Sequence, residues 1–337
     1  MKLYNGFGND SQCYVYGHAL SISPLNRKHF HNYFLINALA LIRLFMVKPV
    51  KGANIEMTFR GKTYKTTTEK DGFFKFEWKL DEELKPGVYP VEAVMIHKRK
   101  NYVTAFAKAE ISIPESTAYA YISDIDDTFL ISHSSNLRKR LFVLLTENAR
   151  SRKPFDGVVN HYKALAEGIP DDSSYNAFFY VSSSEWNLYE YIREFSHQHE
   201  LPNGVYLLNQ IKVLTQLFKT GQNNHNGKFF RIVRILEAFP KQKFILLGDD
   251  SQEDPNIYAS IVSHFKDQIH CVYIRSVKLN KKAVIDKLKE IEATGTLCCY
   301  FKHSAEAIRH SQEIGLIPAP KLTPQPGVAD HAVPPAS

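Results

Sequence analysis

The stretch Tyr121-Ile122-Ser123-Asp124-Ile125-Asp126-Asp127-Thr128 decides how the rest of this 337-residue chain is read. The short apolar run ending at Ile122 is rich in β-branched and aromatic residues and reads as a buried strand. Three aspartates follow it directly. Parallel sheets hold their ligands at the carboxyl ends of strands, so the acids arrive where a site is expected. In extended backbone Asp124 and Asp126 project to the same side. Acids packed this closely repel unless a metal or shifted proton equilibria compensate them. A hard, oxygen-seeking cation such as Mg2+ matches that donor set. The competing reading is an acidic turn that caps the next helix, since Asp and Thr are good N-caps.

Downstream of this strand, apolar runs at Ala177–Val181, Val205–Leu208, Phe244–Leu247 and Cys271–Ile274 alternate with helical patterns. Those patterns cover Leu137–Glu147, Val158–Ala166, Trp186–His197, Lys228–Phe239 and Ile257–Phe265. Such alternation predicts βαβ units and an α/β fold with a parallel sheet covered on both faces. Upstream, Cys13–Gly17, Asn54–Arg60, Thr63–Thr68, Phe73–Trp78 and Val88–Val94 are short β-prone runs separated by Gly-containing turns. They predict a β-sandwich, immunoglobulin-like in character, with Lys70-Asp71-Gly72 turning a hairpin and Arg27–Val47 interrupting as a helix. Pro114 marks the expected boundary. The resulting division is an N-terminal accessory domain (1–115), a catalytic domain (116–312) and a disordered Pro/Ala-rich tail (313–337).

Hydrophobic residues at 44% and charged residues at 23% exclude a wholly disordered, collagenous or coiled-coil chain. Forty-two Lys and Arg against 35 Asp and Glu give a net charge of +7, which suits an anionic partner. Cys13, Cys271, Cys298 and Cys299 have neither disulfide-framework nor zinc spacing. The opening residues are unlike a signal peptide. The apolar stretch Phe34–Val47 is shorter than the ~18 residues of a membrane span and contains Arg43. A cytoplasmic location with reduced cysteines is expected, with any membrane contact peripheral.

Three further motifs stand at strand ends or a helix start. Phe178-Phe179-Tyr180-Val181 leads into Ser182-Ser183-Ser184; Lys228 opens a helix; Phe244-Ile245-Leu246-Leu247 leads into Gly248-Asp249-Asp250, with Asp254 beyond. The order Asp-x-Asp, Ser, Lys, Asp-Asp resembles the four motifs of the haloacid dehalogenase superfamily of phosphohydrolases. With Arg152-Lys153-Pro154-Phe155, Ser182-Ser183-Ser184-Glu185-Trp186-Asn187-Leu188-Tyr189 and Gly248-Asp249-Asp250-Ser251-Gln252-Glu253-Asp254-Pro255-Asn256, the chain is similar to one subgroup. That subgroup is the phosphatidate phosphatase family typified by the fungal actin-patch-associated enzyme. The similarity covers about residues 118–275, and more weakly Tyr4-Asn5-Gly6-Phe7-Gly8. One departure is Asp250, where the family usually carries serine.

The resemblance implies a Rossmann-like catalytic domain that hydrolyses a phosphomonoester, with phosphatidate giving diacylglycerol. Asp124 is then the nucleophile and Asp126 the general acid and base. Ser182 and Lys228 hold the phosphoryl group, with Ser183 replacing Ser182 if the strand ends one residue later. Asp124, Asp126, Asp249, Asp250 and Asp254 are the expected Mg2+ ligands. Asp127 reads as a structural carboxylate. For Lys228 the plain alternative is a solvated basic helix face, shared with Arg231 and Arg234. Trp186 and Tyr189 read as helix-face aromatics. The basic run Arg138-Lys139-Arg140 with Arg150, Arg152 and Lys153 fits either a solvated helix side or reversible contact with an anionic membrane. The rival functions are phosphatase action on a soluble ester, or less favourably a nucleic-acid end, and a non-enzymatic magnesium-dependent binding module.

Overall fold

The computed structural model describes residues 1–22, 43, 45–97, 100–125, 154–169, 175–211, 224–251, 253–277 and 281–319. The expected helices at 27–47 and 137–147 and most of the Pro/Ala-rich tail lie outside these residues, Arg43 and residues 45–47 excepted.

Among the described residues, ten strands precede Pro114. They are β1 (Lys2–Leu3), β2 (Gly6–Gly8), β3 (Gln12–His18), β4 (Leu20–Ile22), β5 (Lys48–Pro49), β6 (Asn54–Phe59), β7 (Lys62–Thr67), β8 (Phe73–Lys79), β9 (Gly87–Ile96) and β10 (Val103–Ile113). Apart from the small β4–β5 ladder they form one continuous sheet in the order β1-β3-β2-β10-β9-β6-β7, with β8 on β3. Arg60 and Gly61 both take positive φ, 48° and 79°, which closes the two-residue hairpin between β6 and β7. The turn at Asp71-Gly72 forms too, with Gly72 at φ 79°, but it is not a hairpin. β7 pairs with β6 while β8 pairs with β3 over its whole length. The chain therefore steps between the two ends of the ladder, and β7 and β8 lie in contact there. β10 escapes sequence reading because its inward positions are Ala105, Ala107 and Ala109, a residue type depleted in strands.

Alternation along β3 explains how this sheet serves the rest of the chain. Cys13 and Val15 enter the core enclosed by the N-terminal sheet, with Ile55, Met57, Phe74 and Ile111. Tyr14 and Tyr16 point the other way, into a core shared with the second sheet.

The second sheet has six strands, all parallel: β11 (Tyr119–Ser123), β12 (Phe178–Glu185), β13 (Gly204–Asn209), β14 (Lys243–Asp249), β15 (Ile269–Arg275) and β16 (Leu297–Phe301). Its order is β13-β12-β11-β14-β15-β16. Between them run α1 (Val158–Glu167), α2 (Tyr189–Gln198, after a single 3-10 turn), α3 (Asn224–Ala238), α4 (Asp254–Phe265), α5 (Lys282–Glu292) and, last, α6 (Ser304–Glu313). Both faces are covered. Ser123 bonds Tyr162 of α1, and Tyr273 bonds Ser311 of α6, on one side. Phe179 meets Phe239, just beyond α3, on the other. The mixed α/β fold with a parallel sheet agrees with the sequence pattern. β16, α5 and α6 extend it, and Leu316 and Ile317 are still buried, beyond residue 312. Cys298 and Cys299 lie half-buried in β16, with burial pushing both thiols up to about 12.

Reading outward from β11, the sheet departs toward β12 on one side and β14 on the other. That reversal opens a crevice at the carboxyl ends of β11 and β14. The N-terminal sheet buttresses the flank of this unit. Tyr4 stacks on Trp186 at 4.0 Å between ring centroids, Phe7 packs edge-on to Phe179, and Arg234 of α3 bonds the Tyr16 hydroxyl at 3.2 Å. Trp186→Ala should therefore destabilise the whole chain by ~3–5 kcal/mol, the usual range for removing a buried aromatic. Calorimetry should show one transition moving down; two separated transitions, with only one moved, would contradict a shared core.

Candidate active site

Backbone hydrogen bonds set the first carboxylate. The Asp124 N–H donates to the Leu247 carbonyl at 2.8 Å, so the residue leaving β11 is pinned beside the end of β14. β14 ends in Gly248-Asp249, and α4 begins five residues on with Asp254-Pro255. A carboxylate at a helix N-terminus followed by proline is favoured by the helix dipole and by proline's missing N–H. Gly248 is needed for close approach, since a Cβ there would sit 2.5 Å from Asp254 Oδ2. One oxygen each from Asp124, Asp249 and Asp254 falls within 4.8 Å of the others, and all three residues are buried.

Lys228 enters from α3. Its side chain is only 2% exposed, and its Nζ lies 2.7 Å from Asp124 Oδ1 and bridges to Asp254 Oδ1. The reading of Lys228 as part of a solvated helix face is thereby corrected. Burial alone would lower the lysine's pKa. The attraction of Asp124 and Asp254 more than reverses this and holds it above the ordinary value. Asp249 behaves oppositely. Burial and the neighbouring Asp254 charge push its carboxyl up to about 7, against the opposing hydrogen bond from the Ser251 N–H at 2.5 Å. Three carboxylates against one ammonium leave excess negative charge in a buried pocket. An all-oxygen donor set with that excess is compatible with a divalent metal ion.

The other expected site residues divide. Ser182 is buried in β12, which continues to Glu185 through a register shift. Its hydroxyl accepts the Ser184 N–H at 2.8 Å, and its carbonyl accepts Arg231 Nη2 at 3.1 Å. Ser183 is half-buried. Asp250 does not join the carboxylate group. Its Oδ1 accepts the Val277 N–H and its Oδ2 the Tyr300 hydroxyl, both at 2.7 Å, tying the β14 end to β15 and β16. Asp126, Asp127 and the basic run from Arg138 to Lys153 lie outside the described residues. Trp186 and Tyr189 pack on Tyr4, away from solvent.

Arg231 is the residue that sequence reading missed. It sits one turn after Lys228, and its Nε is buried with no hydrogen-bond partner among the described residues. Burial lowers its pKa to about 10, offset in part by the Asp124 charge. The Lys228-x-x-Arg231 spacing, which places both cations on one helix face, was the available signal. The site thus couples a cation-held carboxylate, Asp124, to a second pair of acids and a second cation.

Removing the lysine charge exposes what it balances. Lys228→Met should cost ~3–5 kcal/mol near neutral pH, as expected when one partner of a buried ion pair is deleted. The loss should shrink as the carboxylates protonate in acid. Denaturant titrations at about pH 8 and about pH 5 check this; an equal, small loss at both would show that the ammonium is not compensating buried charge.

Residues 119–276 match the family model described as phosphatidate phosphatase APP1, catalytic domain. Over 154 residues the chain is 30% identical to phosphatidate phosphatase APP1 of Saccharomyces cerevisiae, covering 46% of this chain and 25% of that protein. It is 22% identical over 286 residues to the uncharacterized protein C29B5.04c of Schizosaccharomyces pombe, covering 82% of this chain and 43% of that protein. The chain therefore spans less than half the length of either relative. Among solved structures, the carbohydrate acetylesterase XAC1771 of Xanthomonas citri overlays with a TM-score of 0.33 at 9% identity. That alignment covers 91% of this chain and 72% of the other, and is too loose to bear on fold or function. The aspartate, serine, lysine and second aspartate motifs all lie within the matched span, so residues 119–276 of this chain are similar to the phosphatidate phosphatase APP1 catalytic domain.

Proposed function

We propose that this chain is a magnesium-dependent phosphomonoester hydrolase of the haloacid dehalogenase type, acting on phosphatidate to release diacylglycerol. The observation that carries this reading is the buried ion pair between Lys228 and Asp124, set beside Asp249 and Asp254. A carboxylate kept charged and oriented by an adjacent ammonium is prepared for nucleophilic attack. The match of residues 119–276 to the phosphatidate phosphatase family model supports the lipid substrate.

Asp124 attacks phosphorus and forms an aspartyl phosphate as the ester oxygen leaves. Asp126, two residues on in the motif, gives that oxygen its proton. The resulting Asp126 carboxylate takes a proton from water as the water attacks phosphorus, which restores Asp124. Lys228 and Arg231 supply positive charge against the phosphoryl oxygens that gather negative charge, and the Ser182 hydroxyl helps to hold the phosphoryl group. Asp124, Asp249 and Asp254 are the residues that would hold magnesium, whose contribution is to neutralise the transferring phosphoryl group. Asp250 is assigned to the support of the β14 end through Val277 and Tyr300. No helix among the described residues is long and apolar enough to cross a membrane.

Asp124→Asn removes the attacking charge while keeping size and polarity. Turnover should fall ~10³-fold or more, with the thermal midpoint recorded alongside; near-normal turnover would remove Asp124 from the nucleophile role. Phosphate release from micellar phosphatidate, compared with soluble phosphoesters, tests the substrate class.

A second measurement tests the metal. An unfolded aspartate titrates near ~3.9, whereas Asp249 in the fold is pushed up to about 7. As pH rises between those values the unfolded chain loses its proton first, so metal-free stability falls, and above about 7 the full cost of the buried charge is present. Bound magnesium offsets that cost. The midpoint increase on adding magnesium should therefore be larger near pH 8 than near pH 5. No increase at either pH would remove the magnesium site.

A further inference from the structure

Two buried tyrosines reach the backbone of Asp124 from opposite faces of the parallel sheet, and the chemistry proposed above uses neither. The Leu247 carbonyl accepts two hydrogen bonds, from the Asp124 N–H at 2.8 Å and from the Tyr258 hydroxyl at 2.9 Å. The Ser123 hydroxyl donates to the Asp124 carbonyl at 2.6 Å and lies 2.9 Å from the Tyr162 hydroxyl. A serine hydroxyl has one proton to give, and here the Asp124 carbonyl takes it. Tyr162 is therefore the donor in its bond to Ser123. Ser123, Tyr162, Leu247 and Tyr258 are all buried.

Different helices deliver the two phenols. Tyr162 belongs to α1, on the face that α6 also covers. Tyr258 belongs to α4, whose His264 meets Phe229 of α3 on the opposite face. Tyr258 follows Asp254 by one helical turn, so α4 presents both to the end of β14. A Cβ on Gly248 would lie 3.0 Å from the Tyr258 hydroxyl oxygen, so the bare backbone that admits Asp254 admits this group too. These bonds fix Asp124 through its main chain. Its N–H belongs to the peptide plane before Cα and its carbonyl to the plane after. Holding both planes sets φ and ψ, and with them the direction in which the side chain leaves the strand. Lys228 then fixes the carboxylate at the far end. Bonds linked in a chain inside a dry interior strengthen one another. Accuracy matters here, because a reacting group misplaced by ~1 Å can lose about 10²-fold in rate.

We infer that Tyr162 and Tyr258 are positioning residues which, acting through the Ser123 hydroxyl and the Leu247 carbonyl, aim the Asp124 carboxylate at the substrate's phosphorus. The inference rests on the reading of Asp124 as nucleophile and adds the two groups that set its direction. Packing alone would be served as well by phenylalanine. It would not require both hydroxyls to end on the hydrogen-bond partners of one residue.

Tyr162→Phe and Tyr258→Phe each delete one hydroxyl and strand neither of these partners, since Ser123 keeps its bond to the Asp124 carbonyl and Leu247 keeps the Asp124 N–H. Phosphate release is followed on the phosphoester that the parent turns over fastest. Each variant should lose about tenfold in kcat with KM unchanged, because substrate still binds and only the attack is misdirected. Tyr273→Phe is the control. It removes a hydroxyl as deeply buried, in neighbouring β15, where it bonds Ser311 and His310. Its kcat should equal the parent's. Thermal midpoints of all three variants place the assays well below unfolding. A tyrosine variant with parental kcat, a loss confined to KM, or an equal fall in Tyr273→Phe would overturn the inference and leave the hydrolase reading standing. A parent that turns over no phosphoester, or an Asp124→Asn protein that keeps its turnover, would overturn that reading and the inference with it.

Discussion

A single ammonium group, Lys228 Nζ, stands between Asp124 and Asp254 in the interior of the molecule, and much of the carboxyl end of the parallel sheet is arranged to satisfy it. A buried cation is tolerable only where carboxylates replace the water it has lost. Meeting that condition brings together the start of α3, the residue after β11 and the first residue of α4. Lys228 does not open its helix as the sequence suggests: α3 begins four residues earlier, at Asn224, so the two aspartates and not the helix dipole decide the balance of charge around it. Asp249, close by, has its carboxyl held up in pKa chiefly by burial and further by the Asp254 charge.

The N-terminal sheet supports this end from the side. β3 is buried on both faces, and its tyrosines complete a core that contains Trp186, Phe179 and α3. Arg234 reaches the same sheet through Tyr16 and Glu77. The helix that delivers Lys228 and Arg231 to the crevice is thus braced by strands distant in sequence, Tyr16 lying 218 residues before Arg234. That explains why Trp186 and Tyr189, adjacent to the serine motif, contribute packing: their rings meet Tyr4 and the Asn5 backbone.

The sequence by itself determined the α/β alternation, the five strands it names after Pro114, and the placement of Asp124 and Asp249 at strand ends. Those features rest on local periodicity, which each segment carries alone. It also marked Lys228 and Asp254 as residues for the same centre. Tertiary structure alone decided which acids meet. Asp250, just past the end of β14, turns away from the cluster because the Val277 N–H and the Tyr300 hydroxyl are there to receive it. Asp254 reaches the cluster because Gly248 leaves room. Arg231 became a site residue only when α3 docked its inward face on β12. The Asp71-Gly72 turn formed as its residues demand, yet the strands on either side found other partners. Turn conformation is local, whereas strand pairing and charge compensation are settled by groups distant in sequence, which no short stretch encodes.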